Sequence, residues 1–338
     1  MSSNNVPNNE EGKLNQIESN YNPLNLINNY ILKKIFDNMQ KNKALEIIKY
    51  NKDIQKRINI NINDYKEYLD IYSPIEIEII PAKNKYCEFI SIREGEEIYF
   101  HIYFNDNKKQ VFTNILRKEF NVKKIKIIID YQIKSFKDLF FKCECIESIY
   151  FTKFYRNNIN NMSGMFIECS SLKELNLSNF NTNNVKNMNS MFCDCSLLKE
   201  LNLSKFNTKN ITDMGFMFSG CSSLEELNLM NFNTENVTNM EFMFSECLSL
   251  KELDLSNFNT ENVTTMSNMF YKCLSLKELD ISNFNTNKVK DMTLMFEGCT
   301  DDLKKKIRAQ HNNIGEDVLE PSLFELLNQF VNHLNIEY

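Results

Sequence analysis

Six methionines, at 162, 188, 214, 240, 266 and 292, stand 26 residues apart, and the apolar positions around them keep the same step. Phe166, Phe192, Phe218, Phe244, Phe270 and Phe296 form a second series, and Cys169, Cys195, Cys221, Cys247, Cys273 and Cys299 a third. Phe180, Phe206, Phe232, Phe258 and Phe284 follow, with Thr182, Thr208, Thr234, Thr260 and Thr286 two places further on. One period shared by several residue types marks a repeat array. One step upstream, Phe136, Phe140, Cys143, Ile146, Ile149, Phe151 and Phe154 occupy the places of Met162, Phe166, Cys169, Leu172, Leu175, Leu177 and Phe180. The array therefore spans 131–300 in seven units.

Within a unit, Leu201 and Leu203 fall on one face of a short strand, and Glu200, Asn202 and Ser204 on the other. Val185, Met188, Met191, Phe192 and Cys195 recur at steps of 3, 3, 1 and 3, which predicts about one and a half to three turns of α- or 3₁₀-helix packed back on that strand. A single unit cannot bury its apolar side alone. Stacked units are expected to align their strands in a parallel ladder on one face and their helical segments on the other.

The flanks differ in kind. Residues 1–20 are rich in Asn, Glu and Ser, a composition expected to be disordered. In 21–65, Ile27, Ile31, Ile35, Phe36 and Met39 predict one amphipathic helix, and Leu45, Ile48, Ile54 and Ile58 a second or third. Residues 66–130 carry β-branched, alternating runs (75–79, 89–92, 98–104 and 125–129) that predict strands. From the sequence they are either a separate sheet or early, irregular turns of the array. After Cys299 the period stops, and 301–338 reads as a helical cap with helices over 303–310 and around 323–334.

The unit Met-Phe-x-x-Cys-x-x-Leu-Lys-Glu-Leu-Asn-Leu-Ser-Asn-Phe-Asn-Thr, with its L-x-x-L-x-L core, resembles the BspA-like leucine-rich repeats of bacterial and protist proteins, a repeat often catalogued as a domain of unknown function. The resemblance implies an α/β fold: a leucine-rich-repeat solenoid with a parallel strand ladder, preceded by a small helical unit and a strand-rich segment and capped by C-terminal helices. It also implies binding through the repeat surface, and members include surface adhesion proteins as well as intracellular ones. The helical unit at 24–58, with Tyr30-Ile-Leu-Lys-Lys-Ile-Phe36 and Ala44-Leu45-Glu-Ile-Ile48, is similar to a degenerate F-box lacking the leading Leu-Pro. That likeness implies docking to a ubiquitin-ligase adaptor; otherwise the helices are a cap.

Composition narrows the function classes. Of 338 residues 39 are basic and 45 acidic, a net charge of −6, which argues against a nucleic-acid binder needing a clustered basic face. No stretch approaches the roughly 20 apolar residues of a membrane span, and no leader is read at the amino terminus. The ten cysteines are therefore expected to be reduced, in the cytoplasm. Cys143-x-Cys145 and Cys193-x-Cys195 invite a metal reading, but the 26-residue step spreads the thiols in a row, and no histidine lies inside the array. They are read as buried small apolar side chains, with no metal and no cofactor. No catalytic motif is present, so an enzyme is not expected.

The outward strand face carries the candidate chemistry. Glu174, Glu200, Glu226, Glu252 and Glu278 form one column; Asn176, Asn202, Asn228, Asp254 and Asp280 form the next; Lys173, Lys199, Lys251 and Lys277 stand one place before the glutamates. Residues 160–300 hold 10 basic and 17 acidic side chains, net −7, so this face is either a solvated charged surface or one that selects a basic protein partner. Glu252, Asp254, Glu278 and Asp280 are its most acidic corner, and Met230 breaks the uniformity of its serine column. Asn181, Asn207, Asn233, Asn259 and Asn285 are expected to form a hydrogen-bonded column at the turn, satisfying backbone groups that would otherwise be buried unpaired. Three functions follow: an interaction module, a ubiquitin-ligase substrate receptor, and an adhesin. Against the adhesin stand sequons at Asn161, Asn176, Asn202, Asn210, Asn236 and Asn262, since in a secretory route glycans at Asn176 and Asn202 would obstruct the strand face.

Overall fold

The structure, a computed structural model, describes residues 28–39, 51–58, 66, 70–310 and 314–319. The expectations for 1–20, for Leu45 and Ile48, and for a helix around 323–334 lie outside these residues. The chain divides into two compact units after Leu69.

In the first unit, α1 (Asn29–Asn38) starts where the Asn28 side chain accepts the Tyr30 N–H at 2.6 Å. Helix α2 (Lys52–Arg57) starts likewise at Asn51, which accepts from Ile54 N at 3.0 Å. Arg57 Nε donates to Asn29 Oδ1 at 2.7 Å and ties the two helices. The buried stripe of α1 is Leu32 and Phe36, one position round from the expected face, and Ile31 and Ile35 are exposed. In α2 the buried residue is Ile54, followed four places on by Ile58.

In the second unit, alternating Ile75, Ile77 and Ile79 build β1 (Ile75–Pro81), fully buried on one face. With β2 (Phe100–Phe104), β3 (Ile125–Ile129), β4 (Ile146–Lys153) and β5 (Glu174–Asn176) it makes one five-stranded sheet, ordered β2-β3-β1-β4-β5. The first three pairings are antiparallel and β4–β5 is parallel. The strand-rich segment therefore runs into the first repeats without a break in the sheet. Further along, β6 (Glu252–Asp254) and β7 (Glu278–Asp280) pair in parallel with a register of 26. The strand ladder expected through every unit thus appears in pieces: at 201–203 and 227–229 no ladder forms.

The expected helical half is a correction. Met162–Met165 and Phe166–Cys169 are two back-to-back four-residue turns, closed by Met165 N to Met162 O (3.3 Å) and Cys169 N to Phe166 O (3.2 Å). In each turn the third residue has positive φ, as in Gly164 and Glu168, and all seven units repeat the pair. The steps of three mark turn closures and not a helical face. The intervening N–H groups are unavailable to a helix because they donate to the next unit, as Met162 N, Gly164 N, Phe166 N and Glu168 N do to the oxygens of Asn187, Asn189, Met191 and Cys193. Parallel bridges accordingly run from Ser135–Asn161 to Thr265–Asp291 at the same step.

Inside, the Phe140-to-Phe296 series stacks ring on ring, with neighbouring centroids 5.4–5.7 Å apart. Cys169, Cys195, Cys221, Cys247, Cys273 and Cys299 are buried, and each Sγ–H donates to the carbonyl of the phenylalanine 29 residues earlier at 3.1–3.2 Å. At the far end, α3 (Asp301–Gln310) buries Leu303 and Ile307, and α4 (Glu316–Leu319) buries Leu319.

A second correction concerns the cysteines. Cys87 and Cys145 form a disulfide with Cα atoms 5.8 Å apart. The chain leaving β1 returns along β4, with Ala82 N donating to Cys145 O, and this juxtaposes two residues 58 apart in sequence. The other eight thiols are free, and of these only Cys193 is partly exposed.

The asparagine column satisfies backbone groups at the turn, as expected: Asn207, Asn233 and Asn259 each accept the N–H two residues on. The joining falls to threonine: Thr234 Oγ1, buried, donates to Asn259 O at 2.9 Å and accepts Asn259 N at 2.8 Å. Asn210, Asn236 and Asn262 add side-chain bonds to carbonyls of the preceding unit. Thr234→Val keeps the shape and strands both Asn259 groups, so urea unfolding should register a loss of about 1–3 kcal/mol. An unchanged midpoint would remove the threonine column from the list of forces joining the units.

Candidate functional site

Period-two alternation holds along the strand edges whether or not a ladder forms there. Leu175, Leu201, Leu227, Leu253 and Leu279 are buried, and Glu174, Glu200, Glu226, Glu252 and Glu278 are exposed. The structure divides the candidate residues between two hollows. One, of about 880 Å³, brings together Glu226, Asn228, Glu252, Asp254, Glu278 and Asp280, with Met230 and Ser282 at its edge. The other, of about 710 Å³, brings together Glu174, Asn176, Glu200 and Asn202 with Lys173, Lys199, Tyr150 and Leu197.

The difference in charge between them follows from which lysines are engaged. Lys173 pairs with Glu147 at 3.2 Å, and Lys251 with Glu225 at 3.0 Å, each one unit back. Glu225 stands where the lysine column would continue, and its hydrogen bond with Lys251 lowers its own pKa and raises that of Lys251. Lys306 from α3 reaches Glu278 at 2.8 Å. Tyr150 Oη donates to Glu174, and that bond raises the phenol pKa. Among the described residues, Glu226 and Glu252 have no ion-pair partner within 4.0 Å. Between 210 and 270 there are nine acidic side chains and one basic, Lys251.

The second column does a different local job. Asn176, Asn202, Asn228, Asp254 and Asp280 each use Oδ1 to accept the N–H two residues on, at 2.9–3.1 Å. Amide or carboxylate serves equally in such a turn, which explains why the column changes from Asn to Asp without a change of backbone. Tyr150, Glu225 and Lys306 were not singled out by sequence; Glu225 was visible as the one gap in the lysine column. Met230, 54% exposed, provides apolar surface at the groove rim. Among the described residues no cluster of three or more His, Cys, Asp or Glu could hold a metal ion. Nor is any described helix long and apolar enough to cross a membrane.

A family model described as Mycoplasma protein of unknown function, DUF285, matches residues 107–201, 134–227 and 194–309, together more than half of the chain. The chain belongs to the DUF285 family. The DUF285 match begins inside the strand-rich segment and ends within α3, so it lends nothing to the F-box likeness at 24–58. No curated protein matches the chain. Among solved structures, a leucine-rich repeat protein from Bacteroides ovatus is similar at 17% identity and a TM-score of 0.30, covering 59% of this chain and 56% of that one. This DUF285 chain thus spans little more than half the length of that protein.

Proposed function

We propose that the chain is a non-enzymatic protein-interaction module, a leucine-rich-repeat type solenoid that binds a basic protein partner along its strand-side groove. One observation carries this reading: the groove of about 880 Å³ gathers Glu226, Glu252, Asp254, Glu278 and Asp280, with Glu226 and Glu252 in no ion pair with a described cation. Carboxylates spaced one unit apart repel one another, and a cationic segment lying along the array relieves that repulsion. The buried leucines beneath fix the spacing, and Met230 adds apolar contact at the rim.

Titrating the whole chain into a fluorescent lysine-rich peptide tests the reading. Glu226→Gln with Glu252→Gln should weaken binding at least tenfold, and the affinity of the unaltered chain should fall steeply with salt. Equal affinity of the two proteins would overturn the groove as the binding site.

A further inference from the structure

In most units the left-handed position of the first turn is filled as backbone sterics prefer: Asp138, Gly164, Ser190 and Asn268. Three units depart from this: the last, with Leu294 (φ 55°), and two neighbouring ones. Phe216 (φ 58°) and Phe242 (φ 54°) place bulky aromatic residues there, a conformation that costs an L-residue on the order of 1–2 kcal/mol each. Core packing does not account for them. The core rings of these units are Phe218 and Phe244, fully buried, whereas Phe216 and Phe242 are only partly covered. Their rings stack on each other with centroids 4.6 Å apart and planes 8° from parallel, tighter than the 5.7 Å of the core rings beside them. The stack ends there, since the same position in the flanking units holds Ser190 and Asn268. Residues held against their backbone preference mark places where something other than stability is selected.

The surroundings indicate what such a pair takes. Two other surface rings in the turn regions carry a lysine of the chain itself: Lys142 Nζ lies 5.2 Å from the Phe141 centroid, and Lys272 Nζ 4.9 Å from that of Tyr271. The residue after Phe216 and Phe242 is instead buried methionine, Met217 or Met243. The charged residues next to the pair along the chain are carboxylates: Asp213, three places before Phe216, which accepts from Gly215 N at 3.0 Å, and Glu241, one place before Phe242, which accepts from Asn239 Nδ2 at 3.4 Å. Both belong to the stretch with nine acidic residues to one basic.

We propose that the stacked pair Phe216–Phe242 is a second docking point, on the turn side of the array, for an arginine side chain of a basic protein partner. A planar guanidinium lies flat on an aromatic face while its N–H groups reach neighbouring carboxylates, which a compact ammonium does less well. None of the residues lining the strand-side groove comes from these turns, so the two surfaces are separable.

The test uses the full chain with arginine-rich and lysine-rich peptides of equal length and charge, read by fluorescence anisotropy. Phe216→Asn with Phe242→Asn places a residue that accepts positive φ at both positions, and it should weaken the arginine-rich peptide at least tenfold while melting no lower than the unaltered chain. Phe216→Leu with Phe242→Leu keeps apolar bulk, removes the π faces and should lose the same affinity; Phe216→Tyr with Phe242→Tyr should retain it. Unchanged arginine-peptide binding in the leucine variant would overturn the proposal. Binding lost with Glu226→Gln and Glu252→Gln but untouched by either phenylalanine change would overturn it too, while leaving the groove standing; the reverse pattern would support it and remove the groove.

Discussion

Above about pH 9 the folded chain should lose stability steeply and unfold cooperatively before pH 11. Burial raises the pKa of Cys143, Cys169, Cys195, Cys221, Cys247 and Cys273 above the ordinary 9.0, that of Cys169 to about 12. A group whose folded pKa lies above its unfolded value contributes its full stability below the unfolded pKa and loses it as pH rises towards the folded one. At pH 10 the unfolded chain gains on the order of 1.4 kcal/mol for each thiol it releases and the fold must keep protonated. Six thiols then approach about 8 kcal/mol, the scale of a whole domain's stability. The geometry points the same way. Each buried thiol donates to a phenylalanine carbonyl, and a thiolate would press a negative charge against that oxygen. Circular dichroism from pH 7 to 11 checks this, with Cys195→Ala and Cys221→Ala expected to move the midpoint upward if they fold. A flat profile to pH 11 would refute it.

Reducing the Cys87–Cys145 bond should cost about 4 kcal/mol, the chain-entropy value for a closed loop of this length. The closed loop contains β2 and β3, so its release loosens the sheet edge farthest from the array, where β3 pairs with β2 and β1. Thermal melts with and without dithiothreitol should separate for the unaltered chain and coincide for Cys87→Ser. If reductant moves neither, the bond bears no load; if it moves both equally, the effect belongs to another thiol.

The units were legible because a 26-residue step recurs in five series of positions, and burial of every Met, Phe and Cys in the series from 162 to 273 follows from it. Turn and helix were not separable, since steps of three close a turn as readily as they climb a 3₁₀-helix, and positive φ has no signature in Phe216 or Leu294. The Cys87 partnership depends on a strand order, β3-β1-β4, that no local pattern encodes. At the candidate site, exposure of the glutamates could be read from alternation. The division into two hollows could not, because no local pattern shows which units' edges enclose a common space. The threonine series was visible, but its role required knowing which carbonyl lies opposite.

The direction of the bonds between units sets a rule for the length of the array. At the turns the N–H groups reach forward to the next unit, whereas Lys186 N, Thr212 N, Thr238 N and Thr264 N reach back to Asn160, Lys186, Thr212 and Thr238. Every unit is donor and acceptor towards both neighbours, so excising or duplicating a whole 26-residue block rejoins complementary edges. The ends have no such freedom: Ser91 N meets the Leu139 carbonyl at one, and Lys306 Nζ the Lys277 carbonyl at the other. Repeat number can drift in whole steps during evolution while the two terminal structures are held fixed.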